Sequence, residues 1–365
     1  MIRSILFRCD GSHKIGFGHV IRCLALADEL RENHGCNIIF AVLLDQKAIE
    51  LIENHGYHVE TTDYARNDFS YGEWLNNVVV NINARGVILD VRDDLPSETI
   101  NDLRGKGVLI ATIDDPTDRR LLADLAFYPP VPQVERMDWQ GFTGQLYVGW
   151  EWVVLRREFA QTVRTRREKS RVPKASKNIL VAMGGSDPQD MTLKAINALA
   201  LLHEQFGVTI ILGPGFTKRK ALNESLDNFP HPYRILENIS NMADIMAESD
   251  IAVASFGVTA YELAAMGVPA IYLCLSEDHV KSALFFQDSG MATCLGLVDH
   301  LIEEKIAASI KSALFEDIPH KNIHHQSKKI DGCGVARIAQ LIASKLYKGG
   351  YLYEPQMGHS EFFCR

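Results

Sequence analysis

The stretch Asn178-Ile179-Leu180-Val181-Ala182-Met183-Gly184-Gly185-Ser186-Asp187-Pro188 decides the fold. Its apolar half reads as a strand and its Gly-Gly-Ser-Asp-Pro half as a tight turn. The residues from about Met191 to Glu204 then read as a helix. Strand, small-residue turn and helix in that order are the repeating piece of a parallel, doubly wound sheet. Further strands follow at Val208–Leu212, Ile251–Ala254 and Pro269–Leu273, with a helix near Ala260 to Met266.

The same alternation fills the N-terminal half. Ile5–Arg8 reads as a strand, His19 to Asn33 as a helix, Asn37–Val42 as a strand and Ala48–Asn54 as a short helix ended by Gly56. Gly86–Asp90 and Val108–Asp115 read as later strands, each closing on carboxylates. Between the halves lies Arg164-Thr165-Arg166-Arg167-Glu168-Lys169-Ser170-Arg171-Val172-Pro173-Lys174, poor in apolar residues and holding a proline. It reads as a solvated linker. The pattern predicts an α/β chain of two Rossmann-like domains facing a cleft, residues 1–165 and 175–334. A last helix, 335–348, joins the first domain, and 349–365 form a tail. Ligands in such sheets bind at the carboxyl ends of the strands.

Composition limits the function. The 365 residues suit two domains, and 47 % of them are hydrophobic, enough for two cores. With 38 Lys+Arg against 46 Asp+Glu the formal net charge is −8. No basic surplus is present to bind a nucleic acid. No apolar run reaches the roughly 20 residues of a membrane span, and the N-terminus lacks the apolar core of a signal peptide. The seven cysteines are scattered with no CxxC pair, so a cytoplasmic protein with reduced thiols and no metal is expected. The cluster His320, His324 and His325 reads as surface.

Three small-residue turns carry candidate chemistry. The first is Arg8-Cys9-Asp10-Gly11-Ser12-His13-Lys14-Ile15-Gly16-Phe17-Gly18-His19-Val20-Ile21-Arg22. Gly16 and Gly18 let a backbone approach a ligand, and His19 stands where a helix begins. The positive end of that helix disfavours imidazolium and suits a neutral base. The alternative is a histidine that only caps the helix; His13 reads as solvated loop. The G-x-G-H spacing departs from the G-x-G-x-x-G of dinucleotide loops. The second turn is Gly184-Gly185-Ser186-Asp187-Pro188. Its amides and the Ser186 hydroxyl can hold phosphate, or Asp187 can simply cap the helix. The third is Ser255-Phe256-Gly257-Val258-Thr259, with Glu262 three residues on. Glu262 can accept bonds from a ribose diol, or close a capping box with Thr259. Asp90, Asp93, Asp94, Asp114 and Asp115 end two strands, in solvated or capping roles or binding substrate hydroxyls.

Together, the R-x-D-x(4)-I-G-x-G-H-x-x-R motif, G-G-S-D-P, and the Ser/Gly/Thr turn with Glu262 resemble a known family. It is the UDP-2,4-diacetamido-2,4,6-trideoxy-β-L-altropyranose hydrolases (PseG) of pseudaminic acid biosynthesis, with their spore-coat polysaccharide relatives. The family is similar in fold to the GT-B glycosyltransferases of the MurG type. The resemblance spans about residues 3 to 345. It implies a UDP-sugar hydrolase without cofactor, in which His19 activates water for inverting attack on the anomeric carbon. Asp10, Gly16, Gly18 and Arg22 fit the same motif, Gly16, Gly18 and Arg22 as expected substrate contacts, with Asp10 or a strand-end carboxylate orienting His19. Arg156, in Trp152-Val153-Val154-Leu155-Arg156-Arg157-Glu158-Phe159, is implied to contact the nucleotide sugar. Gly185, Ser186, Ser255, Gly257 and Thr259 are implied to take the phosphates, and Glu262 the ribose. Where relatives show an Asn-Gln pair this chain reads Ser276-Glu277-Asp278-His279. Asp278 and His279 would then alter contacts to the sugar or phosphates. Two other readings stay open: a GT-B glycosyltransferase, with His19 deprotonating an acceptor, and a non-catalytic UDP-sugar-binding protein.

Overall fold

A computed structural model of the chain describes residues 3–63, 69–160, 162, 176–237, 239, 241–315, 323 and 327–348. It divides into two compact units. Among the described residues the first comprises those up to Ser12, then His19–Val154 and those from Cys333 on. The second comprises His13–Gly18 and Leu155–Gly332.

The first unit is built on seven strands, β1 (Ser4–Cys9), β2 (Asn37–Leu43), β3 (His58–Thr62), β4 (Ala84–Asp90), β5 (Leu109–Ile113), β6 (Leu125–Tyr128) and β7 (Gln145–Val148). Their order is β3-β2-β1-β4-β5-β6-β7, with every pairing parallel. Parallel strands are joined by helical crossovers that cover both faces, so central strands are apolar along their whole length. Ile5, Leu6 and Phe7 of β1 are accordingly fully buried. The helix Gln46–Asn54 begins at Asp45, whose side chain accepts from the Ala48 amide at 3.0 Å. Gly56 beyond its end takes φ 78°, the left-handed turn that glycine allows. The last helix, Gly334–Lys348, belongs to this unit. Arg337 donates to the Glu151 carbonyl at 3.2 Å, and the Arg3 guanidinium sits 4.1 Å over the Tyr347 ring.

The second unit has six strands, β8 (Lys177–Ala182), β9 (Phe206–Leu212), β10 (Tyr233–Glu237), β11 (Ile251–Ser255), β12 (Ala270–Cys274) and β13 (Ala292–Leu297). They lie parallel in the order β10-β9-β8-β11-β12-β13. Its core gathers Ile179, Val181, Ile196, Phe206, Val253 and Ile310 from strands and helices that the chain places far apart.

Some boundaries differ from the sequence reading. β5 stops at Ile113 because Asp114 takes φ 52° and ends the extended run. The helix from Met191 ends at Ala200, where Leu201 and Leu202 tighten to three-residue bonds on Ala198 and Leu199. The division between the units falls at Val154/Leu155, upstream of the charged stretch. That stretch, the tail from residue 349 and the three clustered histidines lie outside the described residues.

Candidate active site

In the first sheet the strand order reverses between β1 and β4. Such a switch point opens a crevice at the carboxyl ends of the strands. His19 stands there, in the first turn of the helix Gly18–His34 that follows β1, and Asp90 is the last residue of β4. The His19 Nδ1 lies 2.6 Å from Asp90 Oδ1. An ionised carboxylate can only accept, so Nδ1 carries a proton, and Nε2 is the ring nitrogen left to exchange one. The imidazole is 20 % exposed while Asp90 is 1 % exposed.

Asp90 is held from several sides. Arg22, one turn along the same helix, sets Nε on Oδ2 and Nη2 on Oδ1. The Cys23 thiol donates to Oδ2 at 3.5 Å. Burial alone would raise the Asp90 carboxyl. Arg22 and His19 more than offset it and hold the group well below the usual carboxylate range. The result is an imidazole backed by a fixed anion. It can take a proton on Nε2 while Asp90 supports the charge that forms.

Asp10 has other work. Its Oδ2 lies 2.6 Å from Arg8 Nη2, and its Oδ1 accepts from the Leu43 amide at 2.8 Å, tying the end of β1 to the end of β2. Asp90, not Asp10, is therefore the carboxylate that touches His19. Three other strand-end carboxylates are paired rather than simply solvated. Asp93 takes Arg8 at 2.7 Å, Arg119 at 3.1 Å and the Tyr71 hydroxyl. Asp115 takes Arg119 at 3.3 Å, and Asp114 takes Arg92 at 2.9 Å. Arg8 is fully buried, and a buried guanidinium must be satisfied by acceptors of this kind.

In the second unit the switch point lies between β8 and β11. Gly184, after β8, takes φ 78°, and Gly185 packs so closely that an added Cβ would stand 3.0 Å from the Phe17 amide nitrogen. Phe17 belongs to the loop His13–Gly18, in which Gly16 takes φ 79°. His13 is exposed, yet its Nδ1 lies 2.9 Å from the Gly215 carbonyl. An added Cβ on Gly18 would meet Val258 Cγ2 at 3.4 Å. Ser186 is buried beside Asp187, whose two oxygens accept from the Met191 and Thr192 amides at 2.8 Å each. Asp187 thus occupies the helix N-terminus that the sequence offered to phosphate. The Ser186 hydroxyl and the loop amides remain as the anion donors there.

After β11, Ser255 is buried and Gly257 opens the helix Val258–Ala265 with no side-chain cap. The Thr259–Glu262 capping box is absent. Instead Glu262, 4 % exposed, takes Arg156 Nη2 at 3.0 Å and Nε at 3.2 Å. Arg156 also meets Glu158 at 3.0 Å. Burial opposes the Arg156 charge, but Glu262 and Glu158 outweigh it and raise its pKa; burial likewise raises Glu158. The N-terminus of this helix, with Thr259 in its first turn, keeps the geometry of an anion site. Asp278 pairs with Lys281 at 2.9 Å on the helix Glu277–Asp288. Ser276 caps that helix by accepting from the His279 amide at 3.3 Å, and the His279 ring stands 6.1 Å from Phe256.

The residues absent from the sequence reading as site residues are Cys23, Phe17 and Gly215; Asp90 stood among the strand-end carboxylates able to orient His19 but was not singled out. Asp90 had a signal, because Val87-Ile88-Leu89-Asp90 ends a buried run on a carboxylate. Among the described residues no group of three or more His, Cys, Asp or Glu side chains is placed to hold a metal. No helix among them is long and apolar enough to cross a membrane.

Residues 179–340 match the glycosyltransferase family 28 C-terminal domain. An uncharacterized protein of Methanocaldococcus jannaschii, MJ1062, is 29 % identical over 73 % of this chain, which spans 55 % of that protein's length. The spore coat polysaccharide biosynthesis protein SpsG of Bacillus subtilis is 24 % identical over 91 % of this chain and 96 % of its own. The UDP-2,4-diacetamido-2,4,6-trideoxy-β-L-altropyranose hydrolase of Campylobacter jejuni is 24 % identical over 79 % of this chain and 97 % of its own. Among solved structures, MurG of Acinetobacter baumannii superposes with a TM-score of 0.70 at 16 % identity, covering 94 % of this chain and 99 % of that one. The two doubly wound units thus form a GT-B fold.

Proposed function

We propose that the chain is a nucleotide-sugar hydrolase that releases UDP from a UDP-linked 2,4-diacetamido-2,4,6-trideoxyhexose. The observation that carries it is the His19–Asp90 contact of 2.6 Å at the first switch point, with Asp90 fixed by Arg22. His19 Nε2 takes a proton from water as the water oxygen attacks the anomeric carbon. The bond from that carbon to the pyrophosphate oxygen breaks, UDP leaves, and the configuration inverts. Ser186, Gly185, Ser255, Gly257 and Thr259 take the phosphates through amides and hydroxyls, which meet the leaving charge. Glu262, set by Arg156, takes the ribose. The similarity to the Campylobacter jejuni hydrolase, 24 % identical over 79 % of this chain, supports the substrate class.

A second reading has its own support. Residues 179–340 match a glycosyltransferase domain, and a transferase would use the same base on an acceptor hydroxyl. Incubation with a panel of UDP-sugars, followed by proton NMR of UDP and the freed anomer, separates the two. UDP release with no acceptor and first appearance of the inverted sugar support hydrolysis. Release that strictly needs an acceptor marks a transferase, and tight binding without turnover marks a binding protein.

A further inference from the structure

The sequence motif groups Arg22 with the substrate contacts, but the structure spends its guanidinium elsewhere. Nε and Nη2 fork onto the two oxygens of Asp90, and Nη1 lies 3.7 Å from Asp114 Oδ2. Nη2 also lies 3.2 Å from His19 Nδ1. Only 13 % of the side chain is exposed. A fork that donates to both oxygens fixes the rotation of a carboxylate plane, which a single ammonium does not. Among the described residues, His19 meets the charges of Asp90 from β4 and Arg22 from its own helix. Asp114 faces Arg22 from the end of β5 and is itself paired with Arg92. The Cys23 thiol is hydrogen-bonded to Asp90 and to Cys9.

We propose that Arg22 is a positioning residue: its fork turns Asp90 toward Nδ1 of His19, and its charge opposes the gain of a second cation beside it. With a neutral imidazole, the charges of Asp90 and Arg22 cancel. A proton taken up on Nε2 then places a second cation beside Arg22, which opposes the uptake. Without Arg22, Asp90 is a buried anion whose nearest cation is a protonated His19. The pair then keeps its proton at neutral pH and the base is lost. This inference rests on the reading of His19 as the base.

Side-chain nitrogen NMR of the full chain, with His19→Gln identifying the His19 signals, reads the protonation of His19 without substrate. Arg22→Gln is expected to raise the His19 midpoint by about one pH unit or more. The acid limb of kcat for UDP release should rise with it, while KM changes less than about threefold. Arg22→Lys, which keeps the charge and loses the fork, should hold the midpoint near that of the parent and still lower kcat. A midpoint in Arg22→Gln within about 0.3 unit of the parent, or a loss confined to KM, overturns the proposal. If Arg22→Gln does not fold, Arg22→Lys decides alone: lower kcat at unchanged KM supports the role, and a KM rise at unchanged kcat overturns it. If the parent releases no UDP from any UDP-sugar, hydrolysis fails as a reading while the NMR midpoints still judge Arg22.

Discussion

Replacing Asp90 by Asn keeps its shape and removes its charge, so Asp90→Asn tests the contact that carries the functional reading. The carboxylate offers acceptors to Arg22 on both oxygens, to His19 Nδ1 at 2.6 Å and to the Cys23 thiol at 3.5 Å. An amide offers one acceptor oxygen and one NH2 group. Arg22 and Nδ1 both donate into the same place, so one donor must meet the NH2. If the oxygen stays with Arg22, Nδ1 becomes an acceptor and the ring proton moves to Nε2. The lone pair is then lost from the nitrogen that should act. Losing a general base, or holding it in the wrong tautomer, costs about 10²–10⁴ in rate. That is about 3–5 kcal/mol on the barrier. Stability falls as well. Asp90 is 1 % exposed, and breaking a buried pair from one side costs about 3–5 kcal/mol. At about 2–4 °C per kcal/mol for a unit of this size, the melting midpoint drops by about 6–20 °C. UDP release by NMR, below the lowered midpoint, gives the rate; calorimetric titration gives the UDP affinity, which is expected to stay unchanged. A variant that melts as expected and turns over within about threefold of the parent would refute the role of Asp90, since a base in the wrong tautomer must lose far more.

Three further outcomes are expected. Gly213→Ala should cost about 1–3 kcal/mol, read by thermal melting, because the added Cβ would stand 2.3 Å from the Gly184 carbonyl and neither backbone can retreat. Glu262→Gln should weaken UDP binding by about tenfold, measured by calorimetry, because it loosens Arg156 and alters the proposed ribose acceptor; an unchanged affinity would remove Glu262 from the nucleotide site. Asp90 also predicts a pH dependence. Its folded pKa is depressed, so its contribution is complete above the ordinary carboxylate range near about pH 4 and lost on acidification. The melting difference between the parent and Asp90→Asn should therefore shrink as the pH falls below that range, and a gap that stays constant would refute the ion pair.

Which strands the sequence revealed follows from where they lie in the sheets. β1 and β8 are central, covered on both faces, and their apolar runs are plain. β3, β7, β10 and β13 are all edge strands. An edge strand needs no continuous apolar run, and His58-Val59-Glu60-Thr61-Thr62 has none. β6 is buried but only four residues long, too short to stand out from its surroundings. The site divides in the same way. His19 is legible because its signal is local, a glycine loop before a helix. Its pairing with Asp90 is not local, since 71 positions separate them and only the β1–β4 pairing brings them together. The choice between Asp10 and Asp90 turned on that pairing. Asp187 and Glu262 show the opposite case. Each sits at a turn where capping and ligand binding use the same residue types, and only geometry tells that Asp187 caps while Glu262 pairs with Arg156.

The charge balance does not decide which nucleophile His19 serves. The first unit spends Arg8, Arg22, Arg92 and Arg119 on its own carboxylates, and in the second unit Arg156 is shared between Glu262 and Glu158. In the proposed site a pyrophosphate is then met mainly by amides, hydroxyls and helix ends rather than by these arginines. Those dipoles stabilise the leaving UDP equally whether water or an alcohol attacks. The base is equally indifferent, because both nucleophiles give up a proton from oxygen. Neither His19→Ala nor a phosphate-loop substitution can therefore separate hydrolase from transferase, since both enzymes lose activity with either change. What separates them is whether the rate depends on acceptor. A rate of UDP release that is full in buffer alone and does not rise with added alcohol marks water as the nucleophile. A rate that starts near zero and saturates with acceptor marks a hydroxyl bound beside His19.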